Sequence, residues 1–264
     1  MNDFGFHRPK DLASAVAAQR KAAEGKYLGG GQSLLPVMKL GLAAPTDLVA
    51  LAGLAELKGI RREGKELVVG AGATHAEVGE SAEVRGAIPA LAALAAHIGD
   101  AQVRNRGTLG GSLAHDDPAA DYPAAVLALG AAVVTDRRRI PADAFFQGMF
   151  HTALAPDEVI TAVRFPVPEK AAYSKFPHPA SRFALVGVFV ARGPAGVRVA
   201  VTGAGPSVFR HAEMEKALAS RFAPDAIAGV PVSPAGLSTD SFGSAEYRAH
   251  LVGVMARRAV AACG

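Results

Sequence analysis

Two segments of this 264-residue chain set glycines beside hydroxyl side chains in a pattern that suits phosphate. One, IGDAQVRNRGTLGGSLAHDDPAADYPAAVLALGAAVV over residues 98–134, joins an apolar helix end, a basic stretch, a glycine turn, a His-Asp-Asp cluster and an alanine-rich helix. Within it Gly110 and Gly111 are free to take positive φ and admit a ligand close to the backbone. Thr108 and Ser112 offer hydroxyls, and a helix start supplies unpaired amides. The other, YLGGGQSLLPVMKL over residues 27–40, presents Gly29, Gly30, Gly31 and the Ser33 hydroxyl directly after a short apolar run. Two such loops point to a ligand with two phosphates.

Neither loop carries the commonest nucleotide signatures. In Gly29-Gly30-Gly31-Gln32-Ser33-Leu34 the third glycine of the dinucleotide fingerprint is replaced by Leu34, and no acidic residue follows about 20 positions on in the expected context. Gly70-Ala71-Gly72-Ala73-Thr74-His75 fails the same pattern at its last position, and no segment ends in Gly-Lys-Ser/Thr. A Rossmann NAD site and an ATPase are both disfavoured.

Other reactive groups are sparse. The only cysteine is Cys263, so the chain itself forms no intrachain disulfide and no cysteine-held iron–sulfur cluster. Its eight histidines lack metal-ligand spacing, and His115 beside Asp116 and Asp117 is read as a turn with an Asp capping the next helix, not as a metal site. The net charge of +4 and pI of 9.3 invite a nucleic-acid partner. Arg137-Arg138-Arg139 is the only basic run of three, however, with no zinc finger or aromatic-basic interleaving, and it is read as a solvated turn. The N-terminus MNDFGFHRPKD has no apolar core, and every Ala/Val/Leu stretch is broken before membrane-spanning length, so no membrane span and cytoplasmic residence are expected.

The elements that must hold the loops follow from the pattern. Asp11 caps a helix over LASAVAAQRKAAE, a short strand at 26–28 enters the first loop, and 46–51 forms another strand. LKGIRR and KELVVGAGA form a hairpin about Glu63-Gly64-Lys65. Pro89 opens a helix that Gly99 stops, and PAADYPAAVLAL is helical as far as Gly130. AAVVT and EVITAVRFP are strands, and SRFALVGVFVAR with GVRVAVTGAG begins an antiparallel sheet. The division is 1–57, 58–168 and 169–264: two α/β units, then a small α+β domain.

The segments GGGQSLLPVMKLGLAAPTDLVAL, GAGATHAEV and IGDAQVRNRGTLGGSLAHDDPAADYPAA stand in the order that resembles the FAD-binding medium subunit of the molybdenum hydroxylases, the xanthine and aerobic carbon monoxide dehydrogenase family. The likeness continues through DEVITAVRFP, AYSKF and VRVAVTGAG to the final helix. It implies an α+β fold whose two-part FAD-binding domain is of the vanillyl-alcohol-oxidase-like, PCMH type, with FAD between the two α/β units. It also implies site residues: Leu28, Gly29, Gly30, Gly31, Gln32, Ser33, Leu34 and Leu35 in the first loop, and Thr108, Leu109, Gly110, Gly111 and Ser112 in the second. Asp121 matches a carboxylate that contacts FAD; as an acceptor only, it suits a sugar or ribityl hydroxyl, and a helix cap is the structural alternative. Lys175 matches a lysine that reaches the flavin, where its charge would favour the reduced form. Ile98 and Ile160 match apolar or backbone contacts, for which core packing is an equal explanation. Phe183 is a weaker candidate for covering the ring, because the chain has Arg182-Phe183 where many relatives pair an acidic residue with an aromatic.

The resemblance assigns no general base or nucleophile to this chain. It implies an iron–sulfur small subunit and a molybdenum large subunit as partners, in a dimer of heterotrimers, with molybdenum cofactor and clusters held only by those partners. The cysteine-bearing insertion of the benzoyl-CoA-reductase branch is missing. A self-sufficient oxidase of the vanillyl-alcohol oxidase group would need a larger substrate domain than the residues after Lys170 supply. A nucleotide-binding module without redox work is the third reading.

Overall fold

The computed structural model describes residues 2–194 and 196–263. Among the described residues three larger sheets follow one another along the chain, with a two-stranded ribbon beside the second. The first unit holds β1 (Gly5–His7), α1 (Leu12–Lys21), β2 (Gly25–Leu28), α2 (Leu34–Lys39) and β3 (Asp47–Ala50), its strands parallel in the order β1-β3-β2. Asp11 and Ser14 close a capping box at the start of α1. Ala15 packs there on Val49, Leu54 and Leu57 in a small core that Val159 completes from the second unit.

The second unit opens with the hairpin β4 (Ile60–Glu63) and β5 (Glu66–Gly70). Helices α3 (His75–Glu80), α4 (Ala82–Ala87), α5 (Pro89–Ala96), α6 (Ala101–Arg104), α7 (Leu109–His115) and α8 (Tyr122–Ala128) follow. The chain returns through β6 (Ala132–Thr135), β7 (Arg139–Pro141), α9 (Ala142–Phe145), the small ribbon β8 (Phe146–Gly148) and β9 (His151–Thr152), and β10 (Ile160–Pro166). The resulting five-stranded sheet is antiparallel in the order β4-β5-β10-β6-β7.

The third unit carries β11 (Lys170–Pro177), β12 (Ala184–Gly193), β13 (Gly196–Thr202), β14 (Phe209–Arg210), α10 (Ala212–Ser220) and α11 (Ala245–Ala262), its four strands antiparallel in chain order. The unbroken apolar run in β12 has a physical reason: both of its faces are buried. Phe189 and Ala191 enter the core of the second unit, whereas Val186, Val188 and Val190 face the core beneath α11. Helices α5 and α8 thereby sit against the third sheet while sharing a core with the second.

Candidate functional site

A cleft of about 1200 Å³ runs between the first and second units. Residues 150–159 lie along it. At one end the Phe150 amide donates to the Asp116 carbonyl at 3.1 Å. At the other, the Tyr27 hydroxyl donates to the Asp157 carbonyl at 3.1 Å and Arg20 pairs with the Asp157 carboxylate at 2.7 Å. These last contacts tie the two units across the cleft, and the two guanidiniums of Arg137 and Arg20 hold the Asp157 carboxyl down at about 2.

The two glycine segments meet at the floor of this cleft, and they offer different chemistry. After β2, Gly31 takes φ +73°, and the turn spreads the amides of Gly29, Gly30, Gly31, Gln32 and Ser33 with no main-chain or side-chain acceptor among the described residues. Ser33 stands at the start of α2 without making a cap hydrogen bond, so its hydroxyl is free as well. Five open amides and a hydroxyl form an anion cradle.

The second segment departs from expectation. Gly110 and Gly111 are ordinary helical residues of α7, not positive-φ turn residues. Its amides are already committed: Leu109 donates to the Ala73 carbonyl at 3.0 Å, Gly110 to Ala71 at 2.8 Å, Gly111 to the Thr108 hydroxyl at 3.1 Å and Ser112 to the Thr108 carbonyl at 3.0 Å. Gly110 is required by packing, since a β-carbon there would lie 2.7 Å from that of Ala71. What this segment leaves available are hydroxyl groups, those of Thr108 and Ser112. It is held from below by the GATH turn, where the His75 amide donates to the Gly107 carbonyl at 2.9 Å. The His75 ring is buried against Tyr122, and burial lowers it to about 4, so it is neutral.

The cleft is lined by every residue of the sequence-derived set except Leu35, Leu109 and Lys175. Leu109 is fully buried in the core, and Leu35 packs on Gly31 from α2. Lys175 lies behind Asp121: its ammonium donates to the Asp121 carboxylate at 2.9 Å and to the His97 carbonyl, beside Ile98, at 3.3 Å. Asp121 heads α8 but makes no cap hydrogen bond. The helix-cap alternative is therefore removed for Asp121, and the Asp of the His-Asp-Asp cluster does not cap α8 either. Asp116 ends α7 in the left-handed region at φ 48°, and the Asp117 carboxylate accepts from the Ala119 amide at 2.8 Å.

Sequence reasoning missed the wall formed by Phe150, Thr152 and Leu154, and the contribution of Ala71 and Gly72. No local signal marks the wall. A signal did exist at Gly70, where a β-carbon would overlap the Leu57 carbonyl. Arg182, at φ 62°, and Phe183 also line the cleft, on the turn between β11 and β12.

Residues 2–168 match the FAD-binding domain of molybdopterin dehydrogenases. The carbon monoxide dehydrogenase medium chain of Hydrogenophaga pseudoflava is 38% identical over 220 residues, covering 78% of this chain and 77% of that one. The nicotine 6-hydroxylase medium subunit of Paenarthrobacter nicotinovorans is also 38% identical, over 80% of this chain and 78% of its own. The solved structure of reconstituted CO dehydrogenase from Oligotropha carboxidovorans superposes with a TM-score of 0.91 at 33% identity, covering 99% and 98% of the two chains. A free-amide cradle within an end-to-end match of this kind makes the chain a member of the FAD-binding medium subunits of the molybdenum hydroxylases, the flavoprotein component of an oxidoreductase whose cofactor is FAD.

Proposed function

We propose that the cleft holds one FAD non-covalently, with its pyrophosphate on the amides of residues 29–33 and on the hydroxyls of Ser33, Thr108 and Ser112. The observation that carries this reading is the set of five uncommitted amides facing two hydroxyl-bearing residues across the cleft floor. The donor set fits: amides and hydroxyls hold a diphosphate by hydrogen bonds without a lysine, and Gly29 and Gly30 leave no β-carbon above the cradle. Asp121, Ile98 and Phe183 then border the flavin, and Ile160 with Val159 borders the adenosine at the end of the cleft that Asp157 closes.

Bound FAD supplies a centre that exchanges electrons singly or in pairs. The chain's own residues bind it, orient it and set the charge around it; none acts as a general base or nucleophile. The electrons arrive from an iron–sulfur subunit served by a molybdenum subunit, in a cytoplasmic dimer of heterotrimers, and leave for an external acceptor. Among the described residues no helix is long and apolar enough to cross a membrane.

The test is purification of the chain, alone or with its partner subunits, followed by denaturation. Release of about one intact FAD per chain into the supernatant is expected, since no His or Cys stands in a recognisable flavinylation motif. FMN, or flavin that stays with the precipitated polypeptide, would overturn the assignment. Co-purifying polypeptides identified by mass spectrometry test the two partner subunits.

A further inference from the structure

We propose that Tyr173 is a positioning residue for the flavin: its hydroxyl fixes the Asp121 carboxylate between Lys175 and the cleft, and so governs the reduction potential of the bound cofactor. The inference rests on the FAD reading above.

Tyr173 and Lys175 are two residues apart on β11 and share a face. The Tyr173 hydroxyl donates to one Asp121 oxygen at 2.5 Å, while the Lys175 ammonium donates to the other at 2.9 Å. The side chains of Asp121 and Lys175 are 3% and 7% exposed. Asp121 alone of the three lines the cleft, so the Tyr173 hydroxyl acts on whatever lies there only through it, and Lys175 acts only as a charge that Asp121 offsets.

The neighbouring strands are built around this contact. Lys175 is in register with Gly187 on β12, and Gly187 with Thr202 on β13. A β-carbon on Gly187 would overlap the Tyr173 hydroxyl, so the glycine makes the space the hydroxyl occupies. The Thr202 hydroxyl lies 2.6 Å from the Ala120 carbonyl and 3.0 Å from that of Pro118, pinning the backbone just ahead of Asp121. The amides of Ala184 and Gly203 donate to the carbonyls of Ala119 and Pro118 at 3.2 and 2.8 Å. One row across three strands thus serves a single carboxylate.

The electrostatic consequence has a definite sign. With both donors in place the Asp121–Lys175 pair is neutral, although burial pushes the carboxyl up and Lys175, Tyr173 and the nearby His97 ring pull it back. Without the Tyr173 hydroxyl the carboxyl takes up a proton more readily as pH falls. Lys175 is then left uncompensated behind the cleft wall and favours extra electrons on the flavin.

The experiment is redox titration of the FAD-loaded full chain against dyes, from about pH 6 to about pH 9, for wild type, Tyr173→Phe, Asp121→Asn and the double variant. Tyr173→Phe should bind FAD and show a midpoint potential above wild type at the acid end, converging on it at the alkaline end. Added to Asp121→Asn, it should move the potential no further. A Tyr173→Phe potential that tracks wild type at every pH would overturn the proposal, even with a lowered melting temperature. So would an equal shift in the Asp121→Asn background. If Asp121→Asn fails to retain flavin, the pH profile of Tyr173→Phe still decides. Wild-type chain that binds no FAD at all refutes the cofactor reading instead.

Discussion

The Cα of Gly30 rests against the main-chain carbonyl of Arg106, so that a β-carbon on Gly30 would overlap that oxygen. The two glycine segments are therefore in direct contact, and a substitution at Gly30 separates them. Gly30→Ala should lower both thermal stability and FAD occupancy, with overpacking costing about 1–3 kcal/mol. Gly110→Val should do the same by striking Ala71. Gly111→Ala is the cleaner probe of the cleft, because only the Thr108 hydroxyl stands within reach of the added carbon. Calorimetry with parallel flavin absorbance separates the cases; a Gly30→Ala chain with wild-type melting and full flavin would exclude loop-on-loop contact.

Ser33→Ala tests the cradle without touching the fold. The hydroxyl makes no cap hydrogen bond, so the melting temperature of the apo-chain should hold. FAD affinity should drop by about 1.5–3 kcal/mol, the worth of one hydrogen bond to a charged group. Isothermal titration of apo-chain with FAD reads it directly, and unchanged affinity would remove Ser33 from the site.

Much of this candidate site is legible in the chain because an anion cradle is local chemistry: Gly29, Gly30, Gly31 and Ser33 fall within five residues, although Gly30 must also fit against the Arg106 carbonyl. The second segment was misjudged for the opposite reason. Gly110 and Gly111 are poor helix formers, yet Thr108 caps Gly111, and the turn after β5 takes the Leu109 and Gly110 amides on the Ala73 and Ala71 carbonyls, so tertiary bonds override propensity. Strand β11 escaped notice because its inward face carries Tyr173 and Lys175, which breaks the apolar alternation. Their carboxylate lies 54 residues away from Lys175, beyond any periodicity.

Lys175→Ala should leave the buried Asp121 carboxylate without its cation, costing about 3–5 kcal/mol of stability. Replacing both residues, as Asp121→Asn with Lys175→Met, should recover most of that loss, since the desolvated pair is removed as a unit. Urea denaturation of the apo-chains measures both. A double variant as unstable as Lys175→Ala alone would show that the pair matters through something other than its charge.

Asp116 gives stability a pH dependence of predictable sign. Burial and the neighbouring Asp117 carboxylate push it up to about 7, and its Oδ2 has no partner. Between about pH 4 and about pH 7 the native chain keeps a proton that the unfolded chain has released, so the contribution of this group falls as pH rises through that window. Asn tolerates the left-handed φ of 48° and carries no charge. Asp116→Asn should raise stability by on the order of 2 kcal/mol at about pH 8 and give no gain below about pH 4. A gain independent of pH would place the effect in backbone preference.

If the electrons reach the flavin through an iron–sulfur cluster, as proposed, that cluster must be held by a partner. The lone thiol, Cys263, is buried near the end of α11, and burial pushes it up to about 11, so it is neither exposed nor ionised as a cluster ligand must be. The isolated FAD-loaded chain should accept electrons from dithionite, yet show negligible turnover with carbon monoxide, purines, N-heterocycles or aldehydes. Turnover should return only when an iron–sulfur subunit and a molybdenum subunit are added. The native thiol should also resist Ellman's reagent until the chain is unfolded. Anaerobic stopped-flow spectra that follow flavin and cluster bands separately decide the route: cluster reduction should precede flavin reduction in the complex. Rapid flavin reduction by a small-molecule substrate in the chain alone would make it a self-sufficient oxidase instead.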